Sequence, residues 1–274
     1  MIAIQGERGS YSETAALLLL GQAVEIKYCK NFKEVFVATS TQQVQGCLVP
    51  IENSLTGSIH KNYDLLLQHR LKITREINLP VHHSLIAFPG VSFSQIKTVM
   101  SHPVALDQCE KFFEKFPNLK RQSAYDTSGS VQRVMRQKIK TCAAIASSQA
   151  AEFHKAQVLM EGIEDNKENL TRFVLLSRRL KISTGADKTS VAFSFENKPG
   201  GLFKCISVFA QHQIDLMKIE SRPIHGHPWE YLFYLDFLGN TEDEKTRAAL
   251  SRLSKATNFL EILGCYPSAR RDQK

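Results

Sequence analysis

Side chains that can hold or move a proton collect in three short stretches of this sequence. The first, residues 52–58, carries five of them, Glu52, Asn53, Ser54, Thr56 and Ser58, directly behind the apolar run 46–51. The second is Ser101-His102-Pro103, and the third is Asn169-Leu170-Thr171-Arg172-Phe173. Most are neutral donors and acceptors, and lysines are few among them. Asn53 and Ser54 follow a strand end, where they either bind ligand oxygens or cap a turn. Thr56 has the same standing. Arg172 either clamps a carboxylate through two parallel hydrogen bonds or forms a structural ion pair. A helix starting after Pro103 would turn its N-terminal amides toward an anion. His102 reads equally as a general acid or a loop histidine, His82 and His83 as structural, and Glu52 as an organiser of hydrogen bonds.

No metal site or cofactor is expected. The six cysteines, at 29, 47, 109, 142, 205 and 265, form no CxxC pair and no His/Cys cluster. Gly6-Glu7-Arg8-Gly9 lacks the GxGxxG spacing of a dinucleotide site.

These stretches need elements to position them. Residues 1–5 read as a strand ending in a glycine turn, with a helix from about Ser12 capped by Ser10 or Ser12. Further strands are expected at 46–51, 71–79, 82–88, 96–101, 141–146 and 169–177. Helices are expected at 32–39, 63–68, from after Pro103 through 113, and 147–153, and 125–137 reads as a loop followed by a helix. This alternation predicts an α/β architecture with mostly parallel sheets, in which ligands gather at the carboxyl ends of strands. Two lobes with a cleft between them, crossed near 80 and near 160, fit the order. Residues 183–187, STGAD, read as a linker. Beyond it the order is βαββαβ, the ferredoxin-like split unit of a separate domain.

The 274 residues suffice for two domains or one large one. With 43% hydrophobic and 23% charged residues, disordered and collagen-like classes are excluded. The longest apolar stretch near the start, 15–20, is far too short for a membrane span, and no secretory leader is read before it. The net charge of +8 lies in no aromatic-interleaved patch, so no nucleic-acid partner is expected, while a small anionic substrate stays open. Thiols buried or free in a reducing cytoplasm are the matching expectation.

Taken in order, GERGSYSETA (6–15), VPIENSLTGSI (49–59), SHPVALDQC (101–109) and NLTRF (169–173) resemble the successive signatures of prephenate dehydratases. NKPGGLF (197–203) and IESRP (219–223) resemble the ACT regulatory domain attached to them. The resemblance covers nearly the whole chain. It departs at Gly201, where the family often has alanine, and at 126–131, which reads DTSGSV where the family usually reads more like TAGAA. With a strand pattern beginning at Met1 and no chorismate mutase segment expected ahead of it, the chain resembles the monofunctional form.

The resemblance implies a two-lobed catalytic domain similar to type II periplasmic binding proteins in residues 1–182 and a ferredoxin-like ACT domain in 188–268. It implies prephenate as substrate, lost carbon dioxide and hydroxyl, phenylpyruvate as product, and no cofactor. Thr171 is the implied catalytic residue, donating a hydrogen bond or proton to the leaving hydroxyl. Asn53, Ser54, Thr56, Ser101, Gln108, Arg172 and Phe173 are the implied substrate-binding residues, although a phenylalanine at 173 also suits a core. In the ACT domain L-phenylalanine is the implied effector, bound where two copies pair. One side would be Asn197, Gly200, Gly201, Leu202 and Phe203. The partner strand would supply Asp215, Glu220, Ser221, Arg222 and Pro223. A homodimer or homotetramer follows from that pairing. Arogenate, the amino analogue of prephenate, is the alternative substrate. A non-catalytic two-lobed solute-binding regulator is the alternative class.

Overall fold

The structure is a computed structural model that describes residues 1–180, 182–224, 226 and 229–269. These fall into two compact units, Met1–His69 with Ile77–Phe173, and Arg70–Glu76 with the chain from Val174 onward. Among the described residues no helix is long and apolar enough to cross a membrane.

The first unit opens with β1 (Ile2–Gln5), α1 (Tyr11–Leu20), β2 (Ile26–Cys29), α2 (Phe32–Ser40), β3 (Gly46–Asn53), β4 (Gly57–Ser58) and α3 (His60–Gln68). Strand β1 lies between β2 and β3, parallel to both. A parallel sheet is covered on both faces, which is why Ala3, Ile4, Leu48 and Val49 are wholly buried. Ser10, not Ser12, caps α1, its hydroxyl accepting from the Glu13 amide. Strand β2 escapes sequence reading because it is short and carries no alternation of buried and exposed residues.

Strand β5 (Lys72–Pro80) leads to a second sheet in the same unit. Its elements are β6 (Ser84–Ala87), β7 (Thr98–Ser101), α4 (Pro103–Asp107), α5 (Glu110–Lys115), β8 (Lys120–Ser123), α6 (Thr127–Arg136), β9 (Cys142–Ala146), α7 (Ser148–His154) and β10 (Gln157–Met160). The strand order is β10-β6-β9-β7-β8. Here β7 is parallel to β8 and β9, whereas β6 is antiparallel to β9 and β10. The expectation of mostly parallel sheets is corrected for this lobe: β6, which follows the passage near 80, runs opposite to β7, β8, β9 and β10. The chain leaves by β11 (Leu170–Ser177). Two α/β lobes joined by two passages make the expected two-lobed architecture.

The single helix expected from after Pro103 through Phe113 is two. The Asp165 carboxylate accepts the Glu110 and Lys111 amides at 2.8 and 3.0 Å, capping α5 separately, and α4 ends at Gln108. At the DTSGSV turn, Asp126 caps α6 and the buried Ser128 and Ser130 donate to the Arg8 and Asp126 carbonyls. Serine thus replaces alanine there without losing the close packing.

The second unit has the order β12 (Lys188–Ser194), α8 (Gly201–Gln211), β13 (Leu216–Pro223), β14 (Tyr231–Leu238), α9 (Glu244–Ala256) and β15 (Phe259–Tyr266). Its antiparallel sheet runs β13-β14-β12-β15, the ferredoxin-like order, over a core that includes Phe193, Phe209, Phe237 and Leu253. The start of β5 joins this sheet through the parallel pair Ile73–Gly264. Only glycine permits it, since a Cβ on residue 264 would come 2.3 Å from the Ile73 carbonyl oxygen.

Candidate active site

Strand β3 is apolar until Ile51 and then presents Glu52 and Asn53. Asn53 Oδ1 accepts the amides of Leu55 and Thr56 at 3.0 and 3.1 Å and the Thr56 hydroxyl at 3.3 Å. This Asx turn folds the chain back so that β4 pairs antiparallel with the end of β3. The opposite end of the same side chain serves the return strand. Asn53 Nδ2 donates to Asn169 Oδ1 at 2.7 Å and to Thr171 Oγ1 at 2.9 Å. Both amide protons and the carbonyl of Asn53 are therefore engaged, and it acts as a fixed bracket.

Thr171 accepts from Asn53, which directs one lone pair of its hydroxyl inward and leaves its own proton to be donated elsewhere. Thr171 is half-buried. The backbone locks this geometry: the Ser54 amide donates to the Leu170 carbonyl at 2.8 Å, the Leu170 amide to Ser54 Oγ at 2.9 Å, and the Val81 amide to the Asn169 carbonyl at 2.8 Å.

Beside this bracket is a cavity of about 300 Å³ lined by Leu55, Thr56, Val104, Asp107, Gln108, Glu164, Asp165, Asn166 and Asn169. Asn169 is wholly buried, and its Nδ2 has no hydrogen-bond partner. An orphaned buried donor is costly unless a ligand or water accepts from it.

A buried network backs the cavity. The Tyr11 hydroxyl donates to the His82 carbonyl at 2.5 Å and lies 3.0 Å from His83 Nδ1. Burial pushes the His83 pKa down against the Gln108 hydrogen bond and the Glu164 charge, favouring the neutral ring. His83 Nε2 lies 2.9 Å from Gln108 Oε1. Burial raises the Tyr11 pKa, with Glu164 and Cys109 adding to the effect. Glu164 is desolvated, yet hydrogen bonds from the His83 amide and the His82 ring outweigh burial and hold its carboxyl below the usual range.

The description of prephenate dehydratases matches residues 2–181, and that of ACT domains matches 189–255. The chain belongs to the prephenate dehydratase family. It is 42% identical over 282 residues to arogenate dehydratase/prephenate dehydratase 1, chloroplastic, of Arabidopsis thaliana, spanning 97% of this chain and 71% of that one. The crystal structure of a prephenate dehydratase from Arthrobacter aurescens in complex with L-Phe superposes with a TM-score of 0.90 at 31% identity, covering 98% of this chain and 90% of that one. The structure of GqqA, described as a novel type of quorum quenching acylase, superposes with a TM-score of 0.88 at 29% identity, covering 97% of each chain.

Of the residues the dehydratase motifs single out, the structure brings Asn53, Thr56 and Thr171 together and sets Gln108 in the cavity wall. Ser54 is spent on the backbone zipper, accepting from Leu170 and donating to the Glu168 carbonyl. Three expectations are corrected. Ser101 is wholly buried and donates to the Ile145 carbonyl at 2.6 Å, which ties β7 to β9. Phe173 is 2% exposed and belongs to the core. Arg172 meets Glu52 at 3.4 Å, one residue out of step with Thr171 and Asn53 on their strands and so on the opposite face. His102 is no ready acid: burial lowers its pKa against Asp126 and Asp107, and its Nδ1 accepts the Val104 amide. With five residues, α4 offers no extended N-terminus to an anion. The motif NLTRF contains Asn169, and its burial alone marks it, a property the sequence does not display.

In the ACT domain, Gly200 caps α8 with φ +79°, and Asn197 donates to the Trp229 carbonyl at 3.2 Å. A Cβ on Gly201 would come 2.6 Å from the Phe195 ring, so close packing inside this domain is what glycine allows there. Leu202 is half-buried, and Phe203 is 70% exposed. Strand β13 begins at Leu216, with Asp215 just outside it. Lys218, Glu220 and Arg222 lie half-buried on one face, while Ser221 and Pro223 are exposed with Met217 and Ile219 on the other.

Proposed function

We propose that this protein catalyses the decarboxylating dehydration of prephenate or its amino analogue arogenate, with the dehydratase in residues 1–182 and an ACT domain in 188–268 that binds L-phenylalanine. The reaction breaks the bond between the ring and its carboxylate, and carbon dioxide leaves. The released electron pair aromatises the ring and expels the ring hydroxyl, which takes one proton and departs as water. Prephenate then yields phenylpyruvate, and arogenate yields phenylalanine. The substrate supplies the driving force, so the protein has to orient it and assist the leaving hydroxyl.

The observation that carries this reading is the hydrogen bond from Asn53 to Thr171 Oγ1. It fixes the threonine hydroxyl as an acceptor inward and a donor outward. A threonine is too weak an acid to protonate alone, so its role is a hydrogen bond that strengthens as the departing oxygen gains charge. Thr56, Gln108 and Asn169 position the substrate. The name of the Arabidopsis relative covers both substrates, and the arogenate reading is supported by a cavity wall holding three carboxylates and no lysine or arginine.

Phenylalanine as effector is supported by the ligand of the Arthrobacter structure and by the ACT match. Pairing through ACT domains makes a homodimer or homotetramer the assembly we infer. A reducing compartment, the cytoplasm on the sequence reading, suits six buried free thiols, of which burial pushes Cys47 up to about 12. Purified protein given prephenate and arogenate separately, with phenylpyruvate and phenylalanine quantified, tests the activity. A folded protein that forms neither product overturns it.

A further inference from the structure

The cavity wall carries Asp107, Glu164 and Asp165 with no cationic residue beside them. Two of these carboxylates are already committed. Glu164 accepts the His83 amide at 2.8 Å and meets His82 at 3.0 Å, and Asp165 caps α5. Asp107 is exposed and makes no hydrogen bond or ion pair among the described residues. His102, whose ring burial keeps neutral, feels its charge without cancelling it. A further uncommitted polar group in the same wall belongs to the wholly buried Asn169, whose Nδ2 has no acceptor.

An uncommitted carboxylate and an orphaned donor in one wall ask for a ligand with a cationic group and an oxygen. Resting on the dehydratase reading, we propose that Asp107 is a specificity-determining residue that selects the amino analogue over the keto acid by receiving the ligand's α-ammonium, while Asn169 Nδ2 donates to a ligand oxygen. Charge makes the choice. Prephenate carries two carboxylates and nothing to offset them, so it meets the acidic wall as a dianion. Arogenate carries the same two carboxylates and one ammonium, so it enters with one negative charge fewer and places the positive group where Asp107 needs it. Asp107 sits at an exposed rim, so its effect is that of one solvated charge pair, roughly 5- to 10-fold in relative kcat/KM.

The test measures kcat/KM for both substrates with the full-length protein, Asp107→Asn and Asp107→Glu. The wild type is expected to prefer arogenate. Asp107→Asn should lower the arogenate-to-prephenate ratio by roughly 5- to 10-fold, mainly through the KM for arogenate, while the prephenate value rises because a like charge is gone. Asp107→Glu, which keeps the charge, should hold most of the preference. Raising ionic strength should shrink the difference between wild type and Asp107→Asn. A ratio unchanged in Asp107→Asn, or a wild type that prefers prephenate, overturns the inference and leaves the dehydratase standing. Turnover of neither substrate by folded wild type overturns both.

Discussion

Lys188 Nζ lies 3.1 and 3.0 Å from the two carboxylate oxygens of Glu76, and each side chain is at most 5% exposed. Asp236 completes the cluster at 3.7 Å from the same ammonium, and its carboxylate accepts from Ser190. Lys188 opens β12, whereas Glu76 lies on β5, far away in sequence. The first residues of β5 are therefore bound into the fold of the C-terminal unit by a buried charge. Removing one member of such a cluster is costly because the remaining charges stay desolvated.

Lys188→Met should accordingly destabilise the protein by roughly 3–5 kcal/mol, read from chemical unfolding. The same contact bears on truncation. A chain cut near Gly185 loses the partner of Glu76 and the strand that pairs with Ile73, so the catalytic fragment is expected to be unstable rather than an uninhibited enzyme. A soluble, cooperative fragment with full activity would contradict this.

Thr171→Val keeps the shape of the side chain but accepts nothing from Asn53 and donates nothing outward. Turnover should fall roughly 100-fold, as for loss of one transition-state donor, with circular dichroism unchanged. Asn53→Asp removes both amide donors from Thr171 and Asn169 and should reduce kcat as severely. Near-normal kcat in a folded Thr171→Val would remove the threonine from the chemistry.

Gly200 and Gly201 call for different substitutions because they are glycine for different reasons. Gly200→Ala meets no neighbour but is strained at φ +79°, at a cost of about 1 kcal/mol. Gly201→Val must push the Phe195 ring aside, which disturbs the stack of Phe195 on Phe233, centroids 5.0 Å apart. Phenylalanine should bind Gly201→Val at least tenfold more weakly by calorimetry, and melting should begin in the ACT domain. Unaltered affinity would place the effector elsewhere.

Stability should decline as pH falls below about 6.5. Burial lowers the folded-state pKa of His83 below its unfolded value, so the unfolded chain binds more protons in that window. The stabilisation is complete above the unfolded pKa and lost as pH drops through it toward the folded one. Glu164, also lowered, acts in a separate and more acidic window, its contribution disappearing only as pH falls through its folded value. His83→Gln should flatten the slope near pH 6 by at most one proton, about 1.4 kcal/mol per pH unit, in urea unfolding measured across that range. An identical slope would show that His83 is not protonated on unfolding. His69, His102 and His154, lowered by burial as well, leave a residual slope.

The order of motifs and the change of rhythm after residue 183 are enough to identify the family, the α/β lobes and the βαββαβ unit, because they depend on local alternation and on residue types at fixed spacing. Thr171 and Asn53 are legible for the same reason. Sequence could not say which of the motif side chains are spent on structure. Ser101, Phe173 and Arg172 carry the right chemistry at the right spacing, yet burial and strand alternation turn them to Ile145, the core and Glu52. Nor could it reveal that Asn169 loses every partner for its amide nitrogen, that Asp107 stands uncommitted while Asp165 does not, or that Glu76 belongs with Lys188. Each depends on groups far apart in the chain meeting in a desolvated space, and the cost of leaving a polar group without a partner there is set only once the chain has folded.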